Sequence, residues 1–165
     1  MARLRIFGPL TVWGLIWALL AFGLDRANKV WFINVLDFPR AGRIELTPFL
    51  DLVMVWNRGI SYGLFQQDSA LGRNFLAGVA LIIALILFVW LGRLSSRLEA
   101  GAIGLLIGGA VANAVDRFVY GAVADFYSLH MAGYYWYVFN LADVMIVAGV
   151  IGLLYRSMGN DHKTA

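Results

Sequence analysis

The 165-residue chain contains no cysteine, so neither a disulfide nor thiolate catalysis is available to it. Its only histidines are His130 and His162, and no His-Glu-x-x-His pattern occurs, so a zinc-peptidase centre has no support. Charge is scarce as well. Charged residues make up 14% of the chain, and the net charge of +3 comes with neither a compact Lys/Arg run nor an aromatic RNA-binding motif, so nucleic acid is not an expected partner. Internal repeats, low-complexity runs and nucleotide-binding loops are absent too.

What the chain has in abundance is apolar surface. Hydrophobic residues make up 61% of it, and with a mean hydropathy of +0.76 it has more apolar surface than one small soluble core could bury. Four segments approach the roughly 20 apolar residues that a membrane span requires: 7–24, 75–91, 100–115 and 139–155. The expected fold is an all-α integral membrane protein, one polytopic domain over residues 1–165 with four transmembrane helices. The first segment has an Arg-bearing start and the small-x-small triplet Ala21-Phe22-Gly23, as a cleaved signal would. Its apolar stretch is longer than a signal core and three further spans follow, so we read it as an uncleaved anchor.

Four spans place both termini and the middle connection on one side. Those pieces carry Arg3, Arg5, Arg93, Arg97, Arg156 and Lys163 against Glu99 and Asp161, which assigns that side to the cytoplasm. Segments 25–74 and 116–138 then lie outside. Within the first, 44–47 and 52–56 are β-prone, separated by Pro48 and Asp51 and followed by the Gly-punctuated stretch 57–63, so a small sheet resting on the membrane is expected. Segment 116–138 is expected to be a short amphipathic connection. Aromatic residues, among them Trp31, Trp56, Tyr62, Phe65 and Tyr134 to Tyr137, suit the headgroup level. Asp68 or Ser69 would cap the second span.

Polar residues inside these spans are costly, and they fall on faces. Asp25 and Lys29, four apart, predict an ion pair at the outer end of the first span, worth a few tenths of a kcal/mol if exposed. Asn113, Asp116 and Arg117 share one face of the third span, where each charge facing lipid would cost roughly 2.5–3.5 kcal/mol near the bilayer centre. They must face protein or water. Gly101, Gly104, Gly108, Gly109 and Ala112 on that span permit close helix approach. Asp125 and Asp143, near the same end of the last two hydrophobic segments, are the candidate catalytic carboxylates.

Depth counting tests whether these two can meet. Asp143 lies about 20 Å of helix from Arg156, whereas a straight third helix lifts Asp125 about 13 Å beyond Asp116. Pairing requires the third span to break near Gly121 and the chain to turn back, or the helices to tilt. On spacing alone, Asp116 with Asp143 is a rival pair.

The motifs Asn57-Arg58-Gly59, Gly108-Gly109-Ala110 running to Asn113 and Asp116-Arg117, Val123-Ala124-Asp125-Phe126, and Phe139-Asn140-Leu141-Ala142-Asp143, in this order on four spans, resemble the lipoprotein signal peptidases. These are the bacterial enzymes, also called signal peptidase II, that cut the signal peptide from lipid-modified prolipoproteins. The likeness covers essentially the whole chain, including the spacing of Asp25 and Lys29. Arg26 stands where the family commonly has Gln, and Ser61-Tyr62 replaces a small residue followed by Phe, which touches fine substrate contacts rather than the reaction.

The resemblance implies an aspartic endopeptidase with Asp125 and Asp143 as its dyad, needing no metal or other cofactor. Two close carboxylates in a low dielectric share one proton, so one can take a proton from water while its partner donates to the scissile carbonyl. By the same resemblance Asn57, Gly59, Asn113, Arg117 and Asn140 line the site, and Asp116 holds Arg117 or the outer loops. The implied partners are a diacylglyceryl-modified prolipoprotein and membrane lipid, and a monomer is expected. Three other classes remain open on the residues: a small transporter or proton channel, a metal-dependent hydrolase using Asp116, Asp125 and Asp143, and a non-catalytic lipid-binding scaffold.

Overall fold

A computed structural model describes residues 6–59 and 69–161. Arg3, Arg5, Lys163 and the expectations for Ser61, Tyr62, Phe65 and Asp68 lie outside the described residues. Four long helices form a bundle: α1 (Thr11–Val30), α3 (Ala70–Leu91), α4 (Arg97–Val119) and α5 (Leu141–Asp161). Between α1 and α3 come a π-helical turn (Trp31–Val35), the short α2 (Phe38–Ala41), and strands β1 (Ile44–Thr47) and β2 (Leu50–Asn57); β3 (Val123–Met131) and β4 (Tyr134–Phe139) join α4 to α5. Ser69 caps α3, its Oγ accepting from the Gly72 N–H at 3.1 Å.

Among the described residues, three helices are long and apolar enough to cross a membrane: Ala70–Leu91, Arg97–Val119 and Leu141–Met158. Helix α1 starts at Thr11, later than its apolar segment, and runs on through Asp25, Arg26 and Lys29. Outward faces stay apolar, with Leu19, Ile82, Leu85 and Ile151 all exposed, as in a bundle surrounded by hydrocarbon.

Helix α4 is the hub, packing against α1, α3 and α5. Its glycines make this possible. A Cβ on Gly108 would lie 2.3 Å from the Ala18 carbonyl oxygen of α1, and one on Gly109 would lie 2.7 Å from the Ala142 carbonyl oxygen of α5. Backbone cannot yield as a side-chain tip can, so Gly108→Ala is expected to separate α1 from α4. The expected loss is about 1–3 kcal/mol, measurable as a lower midpoint of thermal unfolding in detergent.

The second outer connection differs from expectation. Segment 116–138 is no short amphipathic link: it continues α4 and then forms a β-hairpin, which completes a four-stranded antiparallel sheet of order β1-β2-β3-β4. The domain is therefore mixed helix and sheet rather than all-α. Its hairpin loop is the two residues Ala132 and Gly133, both at positive φ (51° and 83°), the geometry that matches strand twist. Alanine is a weak signal for that turn, and the aromatic run before Phe139 reads equally well as an interfacial belt. The sheet seals the C-terminal end of α1 through an aromatic core, with Phe32 stacked on Phe126 at 4.8 Å and Phe38 edge-on to Phe32 at 5.4 Å.

Helix α4 ends at Val119, and Gly121 adopts φ +74°, a left-handed conformation that reverses the chain at low steric cost. The Ala124 N–H then donates to Asp116 Oδ2 at 3.2 Å, tying the returning strand to the helix it has left. This is the reversal that pairing of Asp125 with Asp143 demands.

Candidate active site

All ten residues singled out in the sequence converge on the sheet-capped end of the bundle. Asp25 and Lys29 come from α1, Asn57 from the end of β2 and Gly59 from the loop after it. Asn113, Asp116 and Arg117 come from α4, Asp125 from β3, and Asn140 and Asp143 from the start of α5. Asn57, Asn113, Arg117, Asp125, Asn140 and Asp143 line one cavity of about 300 Å³, whose deeper wall is apolar and includes Ile83, Leu106 and Ile146.

Local rules place each carboxylate. At the start of α5, Asn140 Oδ1 accepts from the Asp143 N–H at 3.0 Å while Asp143 Oδ2 accepts from the Asn140 N–H at 3.2 Å. This is a reciprocal capping box, which explains the three-residue spacing in Asn140-Leu141-Ala142-Asp143 and fixes the Asp143 side chain. On the sheet, Asn57 pairs with Val123 and Val55 with Asp125. Asn57 and Asp125 are thus diagonal neighbours within reach of each other.

Three asparagine amides link the carboxylates, and a donor sets the orientation of each. Lys29 has only protons to offer, so Asn113 turns Oδ1 toward Nζ at 3.2 Å and its Nδ2 donates to Asp143 Oδ1 at 2.9 Å. Asn140 Oδ1 is held by the Asp143 N–H, which leaves Nδ2 to donate to Asp125 Oδ1 at 2.6 Å and to Asn113 Oδ1 at 3.2 Å. Asn57 Oδ1 accepts from the Gly59 N–H at 3.0 Å, so its Nδ2 meets Asp125 Oδ2 at 3.1 Å. One network therefore joins Asp125 to Asp143, and neither forms a salt bridge among the described residues.

Asp125 lies on β3, outside the helical spans, and is almost fully buried. Burial, with the nearby Asp143 charge, pushes its carboxyl up to about 7, against the opposing pull of the Asn140 and Asn57 amides.

Beneath this network sits a buried ionic cluster. Lys29 Nζ lies 2.8 Å from Asp25 Oδ2 and 2.7 Å from Asp116 Oδ2, with all three side chains fully buried, and Arg26 also pairs with Asp116. The Asp25–Lys29 pair is thus present but is not the weak surface bridge its spacing allowed. Asp116 holds Lys29, Arg26 and the Ala124 N–H rather than forming a bond with Arg117. It is therefore committed away from the cavity and is a poor partner for Asp143. The two acids act symmetrically on the backbone: Asp116 binds the N–H before Asp125, and Asp25 Oδ1 binds the N–H of Ala142, before Asp143, at 2.9 Å. Arg117 gives Nη2 to the Gly59 carbonyl at 2.7 Å and Nη1 to the Asn113 carbonyl at 3.0 Å, so it fastens the loop after β2 to α4 as well as lining the cavity.

Sequence reading missed Arg26, although its spacing from Lys29 places both on one face, and Tyr137, which lines the cavity beside Asp143.

The fold of this chain resembles those of solved bacterial membrane enzymes. One, titled as a bacterial membrane enzyme at 2.3 Å, superposes with a TM-score of 0.74 over 92% of this chain and 91% of that one at 22% identity. A second, at 1.9 Å, gives 0.70 over 87% and 90% at 26% identity. The sequence model of the family described as Signal peptidase (SPase) II matches residues 17–159. The lipoprotein signal peptidase of Methylobacterium sp. (strain 4-46) is 50% identical over 150 residues, covering 91% of each chain. That of Methylorubrum extorquens (strain PA1) is 51% identical over 145 residues, covering 88% of this chain and 85% of the relative. The chain belongs to the signal peptidase II family, and it is a membrane-embedded peptidase.

Proposed function

We propose that the protein is an aspartic endopeptidase that removes the signal peptide from diacylglyceryl-cysteine-modified prolipoproteins, with Asp125 and Asp143 as its catalytic dyad. The observation that carries this reading is the single asparagine network holding both carboxylates on one cavity, with no salt-bridge partner for either among the described residues. Four spans, with α1 as the first, put both termini in the cytoplasm of an inner membrane and the dyad near the outer face, where water is available for hydrolysis. The apolar wall of Ile83, Leu106 and Ile146 suits a signal helix arriving from the bilayer, while the lipid remains beside the spans.

The dyad carries one proton. The ionised carboxylate takes a proton from water as the oxygen attacks the scissile carbonyl; the protonated partner donates to the carbonyl oxygen, and the proton then passes to the leaving nitrogen. Asn57, Asn113 and Asn140 hold the carboxylates in place. Arg117, with two of its N–H groups committed to backbone carbonyls, steadies the loop at Gly59 and brings positive charge to the cavity. A three-aspartate metal set is disfavoured by the commitment of Asp116 to Lys29 and Arg26.

The direct test is purified protein with a diacylglyceryl-modified prolipoprotein in excess chelator. Release of the signal peptide at the modified cysteine, unchanged by the chelator, is expected; loss of release with chelator would overturn the two-aspartate reaction.

The pH profile has a predicted sign. With Asp125 near 7, the shared proton is lost as pH rises through that value, so kcat/KM is expected to fall on the alkaline side there. The Asn57 amide favours the ionised form of Asp125, so its removal in Asn57→Ala raises the carboxyl further. The alkaline limb should then move to higher pH. A limb that stays put or moves down contradicts the assignment of that proton to Asp125.

A further inference from the structure

At the arginine-rich end of the bundle, roughly 24 Å along α4 from Asn113 at 1.5 Å per residue, lies a second cavity of about 280 Å³. Its floor is Gly101 and Leu105 of α4; its walls are Trp13 and Trp17 of α1 and Ala148 and Gly152 of α5. The indole of Trp13 is fixed by donating Nε1–H to the Arg97 carbonyl at 3.1 Å, and Trp17 packs edge-on to it at 6.1 Å. Gly101 keeps the groove open, because a Cβ there would already stand 3.3 Å from the Trp17 ring.

Arg97, at the mouth, is the one charged residue lining the groove, and its side chain is exposed. Among the described residues no acid pairs with its guanidinium, since the neighbouring Glu99 faces Arg156 at 3.7 Å. Arg93, also exposed, adds charge of the same sign nearby. From Arg97 to Leu105 the groove runs roughly 12 Å down the helix, with indole rings whose polar edge is already used at Trp13. A cationic mouth above a narrow carbon-walled slot in a membrane helix bundle matches one class of molecule in both charge and shape.

We propose that this groove binds an anionic phospholipid, its phosphate on the Arg97 guanidinium and one acyl chain laid along Gly101 and Leu105 between α1 and α5. Charge decides the selectivity. A zwitterionic headgroup brings its own cation to a mouth that Arg97 already makes cationic, whereas phosphatidylglycerol brings only the anion. The site is independent of the peptidase reading.

The test uses the full chain in phosphatidylcholine nanodiscs containing a small fraction of lipid brominated in one acyl chain. Emission from Trp13 and Trp17 is taken as the difference between the protein and its Trp13→Phe/Trp17→Phe variant, because the chain has six tryptophans. Brominated phosphatidylglycerol is expected to quench this signal at about fivefold lower mole fraction than brominated phosphatidylcholine, the discrimination one arginine supplies near an anionic surface. Arg97→Gln should abolish the difference without changing thermal unfolding, and Ala148→Phe, which fills the groove, should weaken quenching by both lipids. Native mass spectrometry, counting retained phosphatidylglycerol on the wild type and on Arg97→Gln, gives the same comparison without tryptophan variants. Equal quenching by the two lipids, or a preference that survives Arg97→Gln, overturns the proposal. Displacement of the lipid by millimolar inorganic phosphate does so too, since it would mark a free-phosphate site.

Discussion

Asp125→Asn and Asp143→Asn are each expected to lower the rate of signal-peptide release by about 10²–10⁴-fold, the contribution of a positioned acid or base, while the protein stays folded in detergent. Asparagine preserves size. At position 143 its one oxygen cannot serve both the Asn140 N–H and the Asn113 amide, although the backbone N–H of residue 143 still donates to Asn140 Oδ1. At position 125 its one oxygen cannot serve both the Asn57 and Asn140 amides, so a modest stability loss accompanies the kinetic one. Asp125→Asn removes the group that titrates near 7, so the alkaline limb should vanish with it; Asp143→Asn leaves Asp125 ionisable without the neighbouring charge, so the limb of its residual activity should move to lower pH. Asp116→Asn discriminates the rival pair. Its effect should fall on stability, because Lys29 and Arg26 lose their shared partner. Near-normal turnover by folded Asp125→Asn, together with loss of turnover in folded Asp116→Asn, would transfer the dyad to Asp116 and Asp143.

Lys29→Met should have the largest effect on stability. Methionine keeps most of the side-chain volume but leaves Asp25 and Asp116 buried without the cation between them. Breaking a buried pair in this way is destabilising by about 3–5 kcal/mol, read as a lower unfolding midpoint in detergent. The mechanism makes a second demand. If uncompensated charge is the cause, then neutralising both acids as well, in Lys29→Met/Asp25→Asn/Asp116→Asn, should recover stability relative to Lys29→Met alone, a non-additivity expected of directly contacting groups. A triple variant less stable than the single would point to packing instead. Turnover should suffer beyond the folded fraction, because Lys29 dictates which end of the Asn113 amide faces Asp143. That deficit should appear in kcat rather than in KM.

The linkage relation adds a constraint on conditions. The folded state holds the Asp125 proton up to about 7 against an ordinary value of 3.8, so between these limits it binds more protons than the unfolded chain. Stability therefore falls as pH rises through that window and levels off above it. Comparisons among variants belong at one pH, and the lower end of the window favours the intact site.

Particular residues mark what could be read without a structure. Both catalytic candidates were legible because a carboxylate beside a twenty-residue apolar stretch is energetically conspicuous. The break after α4 was legible because helix rise and span length show that a straight helix would carry Asp125 out of reach, and Gly121 was there to stop it. Strands β1 and β2 carried ordinary strand chemistry. The β3–β4 hairpin did not announce itself, since Ala132-Gly133 is an uncommon turn pair and Tyr134 to Phe139 suits a headgroup belt equally well. The ion pair of Asp25 and Lys29 was visible as a spacing, but its burial was not, because burial depends on what packs over a helix face.

The sequence by itself determined the solvent of this protein and its chemistry. Composition and run length demand a bilayer, absent cysteine removes thiolate catalysis and scarce histidine a zinc-peptidase centre, and short-range rules place Asn140 and Asp143 in one cap. Only the tertiary structure decided which partners each acid meets. Asp116 and Asp125 are nine residues apart and alike on paper; one is drawn to Lys29 and Arg26 of α1, 90 positions away in the case of Arg26, and the other to Asn57 of β2, 68 positions away. Contacts closed over such distances follow from how α4 packs between its neighbours and where the chain reverses, and local spacing carries no information about either.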